Sequence, residues 1–157
     1  MEKRKSPLWC WDVISLQSKL MSGELRKRHE CRILKELSQR FGWDFDWDVL
    51  FRESYEAIVL TDINQRIIWV SDGFKEMTGY PRSFAIGKKP SFLQGEETLE
   101  TTRVEIREKI KLGNTFTITI VNYKKDQTPY KCEVTIHPLM NENKETVAFA
   151  AFESEVI

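Results

Sequence analysis

The sequence predicts an α+β domain with a five-stranded antiparallel sheet, short helices on one face of the sheet and a helical extension in front. Two short β-branched runs, AIVLTD (57–62) and RIIWVS (66–71), come first along the chain and are joined by a tight turn. Three longer alternating runs, at 115–123, 129–139 and 146–156, come last. Segments of helical pattern lie between the two groups. This order is typical of an antiparallel sheet with its helices on one side.

Residues 1–54 are expected to form the helical extension, and residues 55–157 the folded domain. Apolar residues recur at steps of three and four, as on one face of a helix, at Trp9, Val13, Leu16 and Leu20 and again at Leu34, Leu37 and Phe41. Ser22-Gly23 predicts an interruption or kink between two helices, and Gly42 predicts the end of the second. Asp46 or Asp48 is expected to cap a short helix that follows.

Two helical regions are expected between the strands of the domain. Residues 72–86 predict two short helices separated at Gly79-Tyr80-Pro81. Residues 98–112 predict a longer helix, with apolar positions at Val104, Ile106 and Ile110 and an end at Gly113.

Composition favours a soluble single domain. The chain has 157 residues, 41% of them hydrophobic and 31% charged, with a formal net charge of zero. Zero net charge gives no general attraction to nucleic acid or to an anionic membrane. No apolar run reaches the length of a membrane-spanning helix, and the N-terminus lacks the apolar core of a signal peptide. We therefore expect a cytoplasmic protein that binds neither nucleic acid nor membrane.

The cysteines and histidines do not form a recognisable catalytic or metal-binding pattern. Cysteines occur at positions 10, 31 and 132, and histidines at 29 and 137. None of these has the spacing of a zinc site or of a redox CxxC pair. A nucleophile motif such as GxSxG is also missing from the sequence. The expectation is a protein that is not an enzyme and holds no metal.

Three short motifs carry a resemblance to a known family. They are SDGFKEMTGY (71–80), GKKPSFLQG (87–95) and VNY (121–123). In this order and spacing they resemble the light-oxygen-voltage (LOV) subgroup of PAS domains over residues 55–156. The resemblance implies a PAS fold and a role in sensing or signalling, and LOV domains bind flavin.

The residues that the resemblance places at the flavin depart from the LOV pattern. The photoreactive cysteine falls on Pro90, its neighbouring asparagine on Lys89, and the phosphate-binding arginine on Ser91. The resemblance places a second phosphate-binding arginine at Glu100, whose negative charge would oppose a phosphate. From these departures we expect no cysteine adduct and no bound cofactor, with flavin disfavoured and room left for an unidentified small ligand.

Four residues are the candidates for a ligand pocket. The resemblance implies that Gln94 and Asn122 keep the LOV residue type, while Cys132 and Glu153 replace other ring-binding residues. Strand alternation independently puts Asn122, Cys132 and Glu153 on the apolar face that looks toward the helices. Simpler roles remain open: Gln94 and Asn122 could bond nearby backbone, and Cys132 could act as a small buried hydrophobe. The same alternation puts His137 on the opposite face.

The other face of the sheet is apolar as well. Ala148, Ala150 and Phe152 alternate with the pocket-facing residues of the last strand. An antiparallel sheet with one wet face should be polar there, so a cover is required. The N-terminal helices are the expected cover, from the same chain or across a homodimer.

The function expected from the sequence is that of a small stand-alone, non-catalytic PAS sensor. It would signal through protein–protein contact with an unknown partner protein, with or without a small ligand. The alternative is a flavin- or haem-binding PAS sensor that uses non-standard contacts.

Overall fold

The computed structural model of the protein describes the backbone of residues 9–157 and the side chains of residues 20–157. The predicted helix-face positions Trp9, Val13 and Leu16, and the cysteine at position 10, therefore have side chains outside the described residues.

The elements follow the predicted order. The helices are α1 (Trp9–Phe41), α2 (Asp72–Thr78), α3 (Arg82–Ala85) and α4 (Glu100–Leu112), with short 3-10 helices at Trp47–Phe51 and Pro90–Leu93. The strands are β1 (Ala57–Asp62), β2 (Ile67–Val70), β3 (Phe116–Tyr123), β4 (Pro129–Met140) and β5 (Thr146–Val156). They form one antiparallel sheet in the order β2-β1-β5-β4-β3. The predicted α+β fold with five antiparallel strands and an N-terminal helix is confirmed.

The predicted interruption of the first helix is wrong. Helix α1 runs without a break through Ser22-Gly23 to Phe41. A single glycine inside a helix costs only about 1 kcal/mol relative to alanine, and the turns on either side continue the hydrogen-bond pattern. The predicted end is confirmed, since Gly42 follows the helix with a φ of 72°, the left-handed value of a helix C-cap.

The outer face of the sheet is covered from within the chain. Two buried residues of α1, Cys31 and Leu34, pack in one core with Ile58, Leu60 and Phe152 of the sheet. Leu34 is fully buried, so this contact excludes water from the face that the sequence left apolar. The C-terminal half of α1 thus supplies the cover that alternation required.

The WDFDWD stretch anchors α1 to the sheet. Trp47 is 1% exposed, and its indole Nε1 donates to Ser38 Oγ of α1 at 2.6 Å. Asp44 pairs with Met140 at the end of β4 through a backbone bridge. Asp46 caps the following 3-10 helix by accepting from the Asp48 backbone N–H, as predicted. The linker is therefore part of the folded unit.

The middle of α1 extends past this contact. Leu20, Met21 and Leu25 are 60–64% exposed, whereas Leu34 further along the same helix is fully buried. Helix α1 therefore has a docked C-terminal half and, over residues 20–25, an apolar surface without a partner in the described part of the chain.

Candidate ligand-binding site

A cavity lies between the inner face of the sheet and the helices. It has a volume of about 130 Å³. Its walls are mostly aliphatic, with Ile118, Ile120 and Val134 from the sheet and Ile106 and Ile110 from α4. Typical small-molecule sites measure roughly 300–1,000 Å³, so a ligand of that size requires some wall side chains to move aside.

Three of the four predicted pocket residues lie on the wall of this cavity. They are Gln94, Asn122 and Glu153. Cys132 is fully buried in the inner core but does not line the cavity. Strand alternation predicted the correct face for its side chain, but the position in the strand does not distinguish a residue of the cavity wall from one of the surrounding core. The role of the wall residues as ligand contacts remains a prediction.

Strand pairing explains how these residues come together. Val134 of β4 is the partner of Glu153 of β5, and Ile120 of β3 is the partner of Cys132. Asn122, two residues after Ile120 on β3, is paired with Tyr130, two residues before Cys132 on β4. Since alternate residues face the same side, the polar groups form a small patch in an otherwise aliphatic wall.

Glu153 is the one acidic residue among those that line the cavity. It is 4% exposed, and the one side-chain polar contact found for it among the described residues is the Cys132 Sγ, 4.0 Å from its Oε2. Burial without a cation raises the pKa of the Glu153 carboxyl from 4.5 to about 7. The carboxyl is therefore partly in its neutral acid form near physiological pH.

Cys132 is not a reactive thiolate in this environment. Burial, and after it the negative charge of Glu153, raise the pKa of the Cys132 thiol well above its usual range. The thiolate is the reactive form of cysteine, so this residue is a buried neutral group near physiological pH. That agrees with the simpler role left open for it from the sequence.

The mouth of the cavity carries the residues that replace the LOV motif. Lys89, Pro90 and Ser91 line it, and Pro90 is the first residue of the 3-10 helix. A proline fits there because its missing N–H would have no helical partner and its φ is already suited to the turn. No cysteine is found among the residues that line this cavity.

The charge at the start of α4 differs from the expectation. The Glu100 carboxylate contacts Arg107 Nη2 at 3.0 Å and Arg103 Nη1 at 3.6 Å. Two guanidinium groups therefore surround one carboxylate, and the three side chains together carry a net positive charge. The negative charge of Glu100 is therefore offset by its neighbours, which weakens the expectation that it opposes a phosphate. The sequence ETTRVEIR (100–107) contained the signal, because Glu100 and Arg103 are three residues apart on one helix.

His137 lies away from the cavity, as predicted. It is 8% exposed and packs on the outer face against the rings of Phe45 and Phe152. No group of three or more metal-ligating side chains is present among the described residues. Over the same part of the chain, the helices are all too short or too polar to cross a membrane.

The chain belongs to the PAS domain family, because the family profile matches residues 56–155. Within that family it is LOV-like. A blue-light photoreceptor from Listeria monocytogenes is 33% identical over 103 residues, which are 64% of this chain and 40% of that protein. The dark structure of the Aureochrome1 LOV domain superposes with a TM-score of 0.67 and 26% identity, over 73% of this chain and 85% of that one.

A further solved structure concerns a LOV domain studied with a flavin analogue. It matches with a TM-score of 0.65 and 25% identity, over 71% of this chain and 84% of that one. The expectation that no cofactor is bound and that flavin is disfavoured is contradicted by these relatives. It rested on individual substitutions at the mouth, and one of them, Glu100, is neutralised by its neighbours.

The matched region spans less than half of the photoreceptors from Listeria and about a tenth of the rice phototropins that it also resembles. What is common to all of them is the sensor domain. The protein is a LOV-like PAS sensor domain, a type of module that takes part in signalling and is generally non-catalytic.

Proposed function

We propose that the cavity binds the ring system of a flavin and that the protein is a flavin-binding PAS sensor with non-standard contacts. The observation that carries the proposal is the patch of Gln94, Asn122 and Glu153 in an aliphatic wall between sheet and helices. Such a wall suits the two apolar faces of a flat ring, and the amides and the carboxyl suit its polar edge. The similarity to LOV domains points to the same ligand class.

The residues present fit this group in chemistry, although the cavity has to widen. Asn122 and Gln94 each offer an amide donor and acceptor, and Glu153 in its acid form offers an O–H donor. At the mouth, Lys89 is available for the polar tail of the ligand. When bound, the flavin would supply light absorption and electron transfer, and the protein would position the ring and exclude water.

The proposed sensor does not use a cysteine adduct. Pro90 has no nucleophilic atom, and no other cavity-lining residue is a cysteine. Cys132 is held as a neutral thiol outside the wall. A light or redox signal would therefore have to act through hydrogen bonds and packing at the ring.

The proposed output is a change in how α1 docks on the outer face. The Glu153 carbonyl accepts from the Glu56 backbone N–H at 2.8 Å, next to Tyr55. The Tyr55 ring stacks on Phe152, and its hydroxyl donates to Glu30 of α1 at 2.7 Å. Movement of β5 at the cavity would therefore be transmitted through Tyr55 to α1. We propose residues 55–157 as the sensing domain and residues 1–54 as the output extension.

We further propose that α1 carries the signal to another chain. Leu20, Met21 and Leu25 form an exposed apolar surface beyond the docked half of the helix. A second copy of the chain is the proposed partner, which would make the protein a homodimer in the cytoplasm. A change of docking at residues 30–34 would then alter the helix that the partner contacts.

Filling the cavity should abolish flavin binding. Ile118→Trp adds an indole to the wall at a half-buried position of the edge strand β3. We expect riboflavin affinity to fall by at least about tenfold, since the ring and the indole would compete for one volume, equivalent to about 1.4 kcal/mol. Equilibrium dialysis against riboflavin measures it, with circular dichroism to check folding.

Ile63→Trp is the matched control, because Ile63 is 50% exposed at the β1–β2 turn and does not line the cavity. It should bind riboflavin like the unchanged protein. Equal binding by all three proteins would place the ligand elsewhere, and no binding by the unchanged protein would overturn the proposal.

A further inference from the structure

We propose that Glu153 determines which ligands the cavity accepts, by binding an uncharged planar heterocycle as a neutral carboxylic acid that donates to a ring carbonyl. Ligand binding would then be coupled to protonation of this one side chain. The inference rests on the proposed function for the place of the ligand, and adds to it the chemical class of the ligand and the protonation state of the site.

The geometry sets Glu153 apart from an ordinary buried acid. Its side chain lines the cavity and is 4% exposed, and its strand partners on either side are Ala57 and Val134, which offer no polar side-chain atom. The thiol of Cys132 at 4.0 Å is a weak partner. No ion pair to Glu153 is found among the described side chains. A buried carboxyl aimed into an aliphatic cavity has unused hydrogen-bonding capacity, which a ligand can satisfy.

The groups around Glu153 do not favour its charged form. On β4 the neighbours are Cys132 and Tyr130, and burial raises the pKa of both so that they are neutral. On the β1 side the nearest titratable residue is Glu56, an exposed acid. Further along β5, Glu155 is engaged by Lys124 at 2.8 Å. Across the cavity the wall is aliphatic.

Lys89 is the one cation that lines the cavity, at its exposed mouth, and it forms no ion pair with Glu153. Apart from Glu153 itself, the other polar side chains that line the cavity are uncharged: Thr61, Gln65, Ser91, Gln94 and Asn122. The groups near the Glu153 carboxyl are therefore neutral or negatively charged, and this environment favours its acid form.

The direction of the coupling follows from desolvation. A flat uncharged ligand removes the remaining water from the wall, which raises the cost of the carboxylate further, and its carbonyl accepts a hydrogen bond only from the acid. The free site already has a carboxyl pKa raised to about 7 by burial. Affinity should therefore be highest below that value and fall as the pH rises above it. Proton uptake on binding should be near zero well below that value, where the free carboxyl is already protonated, and should approach one proton per ligand above it.

The preference of Glu153 for its acid form also determines which ligands are favoured. A ring with a carbonyl oxygen and no positive charge is favoured, as in the isoalloxazine of riboflavin. A cationic amine or amidine would require the charged carboxylate and should show the opposite pH dependence. The sign of the pH effect therefore distinguishes the two ligand classes.

Riboflavin binding as a function of pH tests the inference. The unchanged protein should bind at least about tenfold more weakly near pH 8.5 than near pH 6. Glu153→Gln keeps the size and a donor but cannot titrate, so its affinity should be independent of pH. Glu133→Gln, at an exposed position of β4, is the matched control and should follow the unchanged protein. Calorimetry in two buffers of different ionisation enthalpy counts the protons taken up.

The outcomes separate this inference from the proposed function. If the unchanged protein and Glu153→Gln both bind with the same pH profile, the coupling is wrong and flavin binding stands. Weaker binding at low pH would show that the ligand binds the charged carboxylate of Glu153, and this result would also overturn the inference. If neither protein binds riboflavin at any pH, the proposed function fails and the inference fails with it.

Discussion

Deletion of residues 1–42 is expected to leave a domain that aggregates or does not fold. It removes Cys31 and Leu34 from the core that they form with Ile58, Leu60 and Phe152. Burial of one large apolar side chain contributes about 1.5–3 kcal/mol, and a domain of this size is stable by only about 5–15 kcal/mol in total. Loss of several such contacts exposes a patch too large for a soluble monomer. Light scattering and thermal melting followed by circular dichroism measure the result.

A shorter deletion, of residues 1–25, is the control. It keeps the buried residues of α1 and removes Leu20, Met21 and Leu25, which are exposed. This variant should stay folded and soluble, with a change in oligomeric state if residues 20–25 contact a second copy. A soluble, folded product from the longer deletion, with an unchanged melting temperature, would show that α1 does not stabilise the sheet.

Replacement of Pro90 by cysteine is expected to create light-driven chemistry where the unchanged protein has none. Pro90 lines the cavity at the first position of a 3-10 helix, where a cysteine can adopt the same backbone conformation. Its thiol would lie in the cavity wall beside the isoalloxazine ring of the proposed flavin. Under blue light it could form a sulfur–carbon bond with that ring. Absorption of riboflavin-loaded Pro90→Cys should then fall on illumination and recover in the dark.

Pro129→Cys is the control, because Pro129 is an exposed proline at the start of β4. Neither this variant nor the unchanged protein should show a reversible loss of flavin absorption. Reversible bleaching of the unchanged protein would contradict the account of Pro90. A Pro90→Cys variant that binds riboflavin but does not bleach would show that residue 90 is not beside the ring.

Much of the fold could be predicted because it depends on local patterns. Alternation along the three long strands placed Asn122, Cys132 and Glu153 on the inner face and His137 on the outer face. The same alternation revealed that the outer face needed a cover, and α1 provides it. These features follow from backbone geometry and apolar burial, which a single sequence expresses directly.

The remaining features depend on contacts that strand and helix patterns do not specify. Ser22-Gly23 suggested a break, but a glycine inside a long helix costs too little to end it. Cys132 and Glu153 share a face, yet only the packing shows that Glu153 reaches the cavity and Cys132 does not. Glu100 taken alone suggested repulsion of a phosphate, whereas its two arginine partners reverse the local charge. The expectation that no cofactor is bound was wrong because it treated each substitution as independent of its neighbours.

The central claim is that this cavity holds a flavin without a reactive cysteine. Its most direct test is the absorption spectrum of the freshly purified protein. Mass spectrometry then identifies the small molecule that denaturation releases. Before measurement, the protein is supplied with riboflavin and freed of unbound ligand. We expect the visible bands of an oxidised flavin, one flavin released intact per chain, and a spectrum that blue light does not bleach reversibly. A protein that retains no flavin after loading, or one whose bands bleach and recover under light, would contradict the central claim.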